Sequence, residues 1–388
     1  MTSRTRLSVL LLSTPVLAFV LVGGLMGKES ISGDQSYQHL RVFEDVVSLV
    51  MSSYVEDVKV DKVMEGAMRG LADGLDPDSA YLNPKQARAI EAGEMLPDGE
   101  VGLELTRQYY LRVIAARDAS PAAKAGLQTG DYVRAIDGKP TRDMSVFEGS
   151  RLLRGAPGSK VVLTVIRGNA AEPHEVALVR EKSSGPAVTS RTIGGDVGYI
   201  RVVSFRAGAA EELRRQAADL AKGGAKSLVI DIRRTAEGPM ENGLSAARAF
   251  VKTGTLGIKA GREGVAARET IAARAGDGAI ELPVTLLITT GTAGAAELFA
   301  AALDGNSRAV LVGERTLGRA GVQKIVKLPE SRALWLTYAR YLTPAGEPIH
   351  GRGLHPDMQV EEPDVEFGAT PSTSDPILDA AIEKIRAK

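Results

Sequence analysis

The sequence predicts a layered α/β (α+β) core, preceded by N-terminal helices and interrupted by a small inserted β-rich domain. Three observations carry this prediction. Apolar residues recur at helical spacing over residues 36–75. Short β-branched runs alternate with Gly- and Pro-containing turns over residues 99–183. From Gly198 onward, strand and helix patterns alternate, as they do when helices cover a sheet.

The first region is read from Leu40, Phe43, Val47 and Val50, then from Val63, Met64, Ala67, Met68, Leu71 and Leu75 after a turn near Val60 and Asp61. Gly74 and the turn Asp76, Pro77, Asp78, Ser79 close it. In the second region, strands are expected at 111–114, 132–136, 160–166 and 175–179. In the third, strands are expected at 199–203, 227–231, 282–290 and 309–312, and helices at 209–221, 239–251 and 293–303. The expected domains are a helical region 36–95, a β-rich domain 96–183, a core 190–362 and a tail 363–388.

Composition excludes several function classes. The chain has 388 residues, enough for two or three domains, with 48 basic and 48 acidic side chains. Balanced charge and 4% aromatic residues give neither the basic field nor the stacking surface of a nucleic-acid binder. With no cysteine, disulfides, thiolate catalysis and Cys-based metal sites are excluded. No His-x-x-x-His or paired-carboxylate spacing suggests a metal, and no cofactor is expected.

The N-terminus carries a targeting signal. Arg4 and Arg6 precede residues 7–26, an apolar stretch long enough to cross a hydrocarbon core. The arginines favour a cytoplasmic N-terminus. The stretch lacks an Ala-x-Ala cleavage site, so an uncleaved single-pass anchor is expected, with a cleaved signal peptide as the alternative. Either way the remaining chain is exported to the cell envelope, in a periplasm-like compartment or beyond.

Four motif clusters share one resemblance. They are GLADGLDPDSAYL from Gly70, ASPAAKAGLQTGD from Ala119 followed by VRAIDGKP from Val133, TGTAGAAELFAAAL from Thr290 with GERTLGRAGVQ from Gly313, and YLTPAGEPIHGRGLHPD from Tyr341. Together they resemble the carboxyl-terminal processing (tail-specific) serine proteases, over residues 36–360. The second cluster is similar to a bacterial PDZ domain. The resemblance implies a protease core, an inserted PDZ domain and N-terminal helices that serve in dimerisation; packing of those helices on their own core is the alternative.

The PDZ resemblance implies that polypeptide C-termini are the ligands. In such a groove a peptide adds as a further strand beside an open sheet edge. Backbone N–H groups of Val101, Gly102 and Leu103 would receive its terminal carboxylate, and Gly102 permits the tight loop.

The catalytic positions depart from the family. Its nucleophilic Ser falls on Gly294 and its general-base Lys on Arg319. Glycine has no side chain to attack with, and a guanidinium stays protonated, so it cannot act as a base. In the family's oxyanion loop a glycine pair supplies an N–H; here the pair reads Glu237 and Gly238. Gln323 matches an auxiliary Gln that orients the lysine, and with no lysine its expected role is an ordinary hydrogen bond.

Thr290, Thr292, Ser307 and Thr316 are the substitute hydroxyls near the site, and Glu297, Asp304 or a distant His the bases available to them. Thr292 matches the family's own Ser/Thr, which is not its nucleophile, so turn stabilisation is expected. His350, His355 and Asp357 lie in a Gly/Pro-rich closing loop rather than in a recognisable triad. Removing a catalytic Ser or its base alone costs on the order of a million-fold in turnover. The expectation is therefore an inactive pseudoprotease with no hydroxyl in reach of a deprotonatable partner at the site. It would bind C-termini and form a homodimer or a heterodimer with an active relative. The alternative is a serine-type endopeptidase that uses Thr292.

Overall fold

A computed structural model describes residues 31–168, 172–263, 267–363, 365–368 and 374–387. The apolar stretch 7–26 lies outside the described residues, and among the described residues no helix is long and apolar enough to cross a membrane. The chain divides into two compact units, Met1–Gly70 and Leu71–Lys388. In the first, the helix Ile31–Ser53 leaves Leu40, Val46 and Leu49 exposed.

The second unit is built on a six-stranded sheet in the order Val188–Ile193, Val197–Val202, Ser227–Asp231, Val284–Ile288, Ala309–Gly313, Met358–Gln359. The first pair is antiparallel and the rest parallel. Side chains alternate across it, as the pleat dictates. Ile200, Leu228, Ile230 and Leu286 face the helices Ala209–Lys222, Met240–Ala247 and Ala295–Asp304, where Leu213, Leu244 and Phe299 complete the main core. Val197, Val229, Leu287 and Val312 face the opposite side. There they meet Ile377 and Ala381 of a C-terminal helix, Pro376–Arg386.

Several elements differ from expectation, among them two helices. The helix expected over 239–251 ends at Ala247, because the carbonyls of Arg248 and Ala249 accept the N–H groups of Gly278 and Ile280 instead of continuing the helix. The stretch expected only as a tail carries the helix Pro376–Arg386. A second sheet joins Ala80–Leu82, Arg332–Leu342, Thr255–Gly261 and Arg268–Ala272, with Gly321–Leu328 paired to Arg332–Leu342.

The inserted domain has its own sheet, ordered Leu103–Gln108, Tyr110–Ala116, Tyr132–Ile136, Lys160–Ile166, His174–Val179. Leu103–Gln108 is an edge strand, and the helix Val146–Leu153 packs beside it. Such a groove suits addition of an extended peptide. The domain packs on the core through Ile114 and Ala115, which are buried with Ala293 against Ala236 and Leu317.

The C-terminal helix is fastened by charge. Arg233 binds both oxygens of Asp231, at 3.1 and 2.7 Å, and both oxygens of Asp375, each at 2.8 Å. Asp375 also caps the helix through Leu378 N–H. Burial alone would raise the pKa of Asp231, but Arg201 and Arg233 outweigh it and lower it from 3.8 to about 2. That stability is present above pH 3.8 and lost as pH falls from 3.8 towards 2. Arg233→Ala strips a buried carboxylate of its partner and should cost about 3–5 kcal/mol, read from urea unfolding. The same variant should flatten the acid limb of the wild-type stability profile.

Candidate active site

The strand Val284–Ile288 leads through Gly291 and Thr292 into the helix Ala295–Asp304, and Gly294 stands at the helix head. Its backbone, φ 62° and ψ −122°, is one that residues with a Cβ seldom adopt. There is nevertheless room for a side chain: an added Cβ would meet only Ala236 O at 3.7 Å and Arg319 O at 3.9 Å. The turn has the sharp strand-to-helix shape on which hydrolases carry a nucleophile, and glycine offers no side chain there.

Glu297, one turn along that helix, is fully buried. Its carboxylate accepts N–H bonds from Gly294 at 3.1 Å, Gly318 at 2.6 Å and Arg319 at 2.7 Å, and the hydroxyl of Thr316. Burial pushes its pKa up to about 7, opposed by those four donors. One side chain therefore ties the helix head to the loop that carries Arg319.

A hydroxyl does meet a deprotonatable partner here, in the pair Thr316 and Glu297, contrary to expectation. The pair is sealed off: Thr316 is 3% and Glu297 0% exposed, and Thr316 Oγ1 also accepts from Leu354 N–H at 2.8 Å. Both residues belong to the shared motifs, and their bonding closes a loop rather than facing a cleft. Thr292 is equally committed. Its fully buried hydroxyl donates to Ile232 O at 3.0 Å and accepts from Thr289 N–H at 3.1 Å.

Arg319 is paired with two carboxylates. Its Nε donates to Asp78 at 3.1 Å and its Nη1 lies 3.5 Å from Glu104 on the edge strand of the inserted domain. Burial opposes its charge, but Asp78 and Glu104 outweigh that and raise its pKa further. Glu104 itself is raised, first by burial and then by Glu237 and Glu100, against the pull of Arg319. Gln323 bonds Thr337 Oγ1 at 3.1 Å, part of a network with Asp76 and Ser79.

Glu237, in the loop after the strand Ser227–Asp231, bridges the same seam. Glu237 O accepts the Phe205 N–H at 2.8 Å, and Glu237 Oε2 lies 3.2 Å from Arg117 of the inserted domain. Gly238 has φ 122°, and an added Cβ would strike Phe205 O at 2.4 Å, so the shape of this loop needs glycine there. Across the seam, Gly102 has φ 72° and its added Cβ would strike Ser120 Cβ at 2.3 Å. Val101, Gly102 and Leu103 line a cavity of about 160 Å³ with Glu104, Arg117 and Glu237. The structure thus brings Gly294, the Arg319 loop, Glu237 and the Val101 to Leu103 loop around one seam.

His350 Nδ1 accepts from Ala320 N–H at 3.3 Å, whereas Asp357 Oδ2 accepts from Leu311 N–H at 2.8 Å; each is occupied in holding backbone. Among the described residues no group of three or more His, Cys, Asp or Glu could hold a metal ion. Three residues here escape a reading of the sequence: Arg117, Glu104 and, beyond its turn, Asp78. Glu104 and Arg319 are 215 positions apart and Arg117 and Glu237 are 120, so no local pattern pairs them.

Comparison with known proteins agrees with this fold. Peptidase family S41 matches residues 196–360 and a PDZ domain matches residues 112–167. A carboxy-terminal-processing protease from Bartonella bacilliformis is 32% identical, over 84% of this chain and 76% of its own. One from Synechocystis is 32% identical, over 79% of this chain and 73% of its own. The solved photosystem II D1 C-terminal processing protease matches with a TM-score of 0.69 at 27% identity, covering 82% of this chain and 92% of its own. The chain belongs to the carboxyl-terminal processing protease family, with its PDZ domain and S41 core.

Glu297→Ala would leave the N–H groups of Gly294, Gly318 and Arg319 without their acceptor. At about 1–3 kcal/mol for each stranded group, unfolding should become at least about 3 kcal/mol easier. Because burial raises the folded pKa from 4.5 to about 7, the folded state holds this proton more tightly, and stability falls as pH rises from 4.5 to 7. Denaturant titrations across that window should show the slope in wild type and its loss in the variant.

Proposed function

We propose that this chain is a catalytically inert member of its family, a pseudoprotease that holds polypeptide C-termini at the cell envelope. The observation that carries this reading is the pairing of Gly294 with an Arg319 whose guanidinium is engaged by Asp78 and Glu104. A Ser–Lys mechanism needs an attacking oxygen and an amine that can lose its proton, and these positions offer neither. The peptide-docking parts persist beside them. The edge strand Leu103–Gln108, the helix Val146–Leu153 and the glycine-dependent loop at Gly102 support capture of a terminal carboxylate.

On this reading residues 7–26 anchor the chain in a membrane, with the rest in the periplasm. Captured termini would be recruited for, or withheld from, an active relative. The exposed Leu40, Val46 and Leu49 of the first helix would be covered by a second copy of this chain, or by that relative in a mixed dimer. No nucleic acid, metal or cofactor enters the reading.

Carboxylate capture is tested by fluorescence anisotropy with a labelled ten-residue peptide ending in apolar residues, as the free acid and as the C-terminal amide. The free acid should bind and amidation should weaken binding at least about tenfold, the loss expected of a charge-assisted contact. Equal binding of the two forms would remove the reading.

A further inference from the structure

The Glu237 carboxylate crosses the seam between core and inserted domain and meets Arg117 beside the loop expected to hold a peptide's own carboxylate. Arg117 Nη1 takes Glu100 and, at 3.2 Å, Glu237. Arg117 Nη2 has no hydrogen-bond partner among the described residues and lies 3.5 Å from where a Cβ on Gly102 would stand. Arg117 N–H also donates to Gly102 O at 2.8 Å, which fixes this arginine to the loop. Glu100 is held independently, since Arg154 binds its other oxygen at 3.0 Å. Apolar walls from Val101, Leu103, Leu153 and Val203 line the same cavity of about 160 Å³.

We propose that Arg117 is the receptor for the terminal carboxylate of a bound polypeptide, and that Glu237 is a built-in stand-in for that carboxylate in the peptide-free state. This inference rests on the carboxylate-capture reading above and names its receptor and its competitor. An incoming terminus has the same charge and fork geometry as a Glu side chain, so it competes for the same guanidinium. A glycine at position 237 could not compete, because it carries no carboxylate. Glu237 therefore sets a threshold: a terminus binds by displacing it, and displacement uncouples the former oxyanion loop from the inserted domain. Arg117 is the cation suited to this exchange, because Glu100 keeps it oriented after Glu237 leaves.

The test uses the full chain and the same labelled peptide, free acid and amide, with wild type, Glu237→Gln and Arg117→Gln. Glu237→Gln should tighten free-acid binding about two- to fivefold, as expected for removing a partly exposed ion pair, and leave the amide unchanged. Arg117→Gln should bring acid and amide to within about twofold of each other. Circular dichroism and unfolding curves verify that both variants fold, and Arg117→Lys keeps the charge if Arg117→Gln does not fold. In that fallback the lysine should retain only part of the acid preference, and full retention would overturn the receptor assignment. If wild type discriminates acid from amide but Glu237→Gln binds the acid no more tightly, the stand-in is overturned while carboxylate capture survives. If neither protein discriminates, both fall. Discrimination that emerges only in Glu237→Gln supports the stand-in but removes capture by the wild-type chain, because Glu237 then excludes the ligand there.

Discussion

The site's shape depends on one buried carboxylate. Glu297 gathers the N–H groups of Gly294, Gly318 and Arg319 and the Thr316 hydroxyl, and so fixes the helix head against the facing loop. Each bond to position 294, 318 or 319 goes to backbone, so none depends on the side chains there. A serine and a lysine can therefore be replaced by Gly294 and Arg319 without loosening the frame. That frame has a cost, because a carboxylate so deeply buried is worth having only while its donors surround it.

Charge joins the parts of the site. Arg319 spans Asp78 and Glu104, and Glu237 spans the seam to Arg117. Two positions that would serve bond cleavage in a Ser–Lys enzyme thus join the core to the inserted domain. Ile114, Ala115 and Ala293 seal the same seam with apolar contact. The same few side chains therefore hold the loops of the core and the inserted domain together.

Much of this architecture was legible in the sequence. Strands at Tyr132–Ile136, Lys160–Ile166 and Ser227–Asp231 were read with their observed bounds, because uninterrupted β-branched or alternating runs announce themselves locally. The helix Pro376–Arg386 was missed since only two of its residues, Ile377 and Ala381, are buried, and its anchor is the distant Arg233. At the site, motif spacing singled out Gly294, Arg319, Glu237 and Gln323. Their partners were not: Glu104, Asp78 and Arg117 are set by tertiary contact alone. The Thr316 and Glu297 pair shows the limit most clearly, because the sequence gives both residues but not that burial closes them to any substrate.

The central claim, that no peptide bond is cut, is tested most directly by mass spectrometry of an unfolded protein substrate after prolonged incubation with the full chain. The account predicts no new C-termini above the enzyme-free control. New termini produced by wild type and abolished by Thr292→Ala or Thr316→Ala would contradict it.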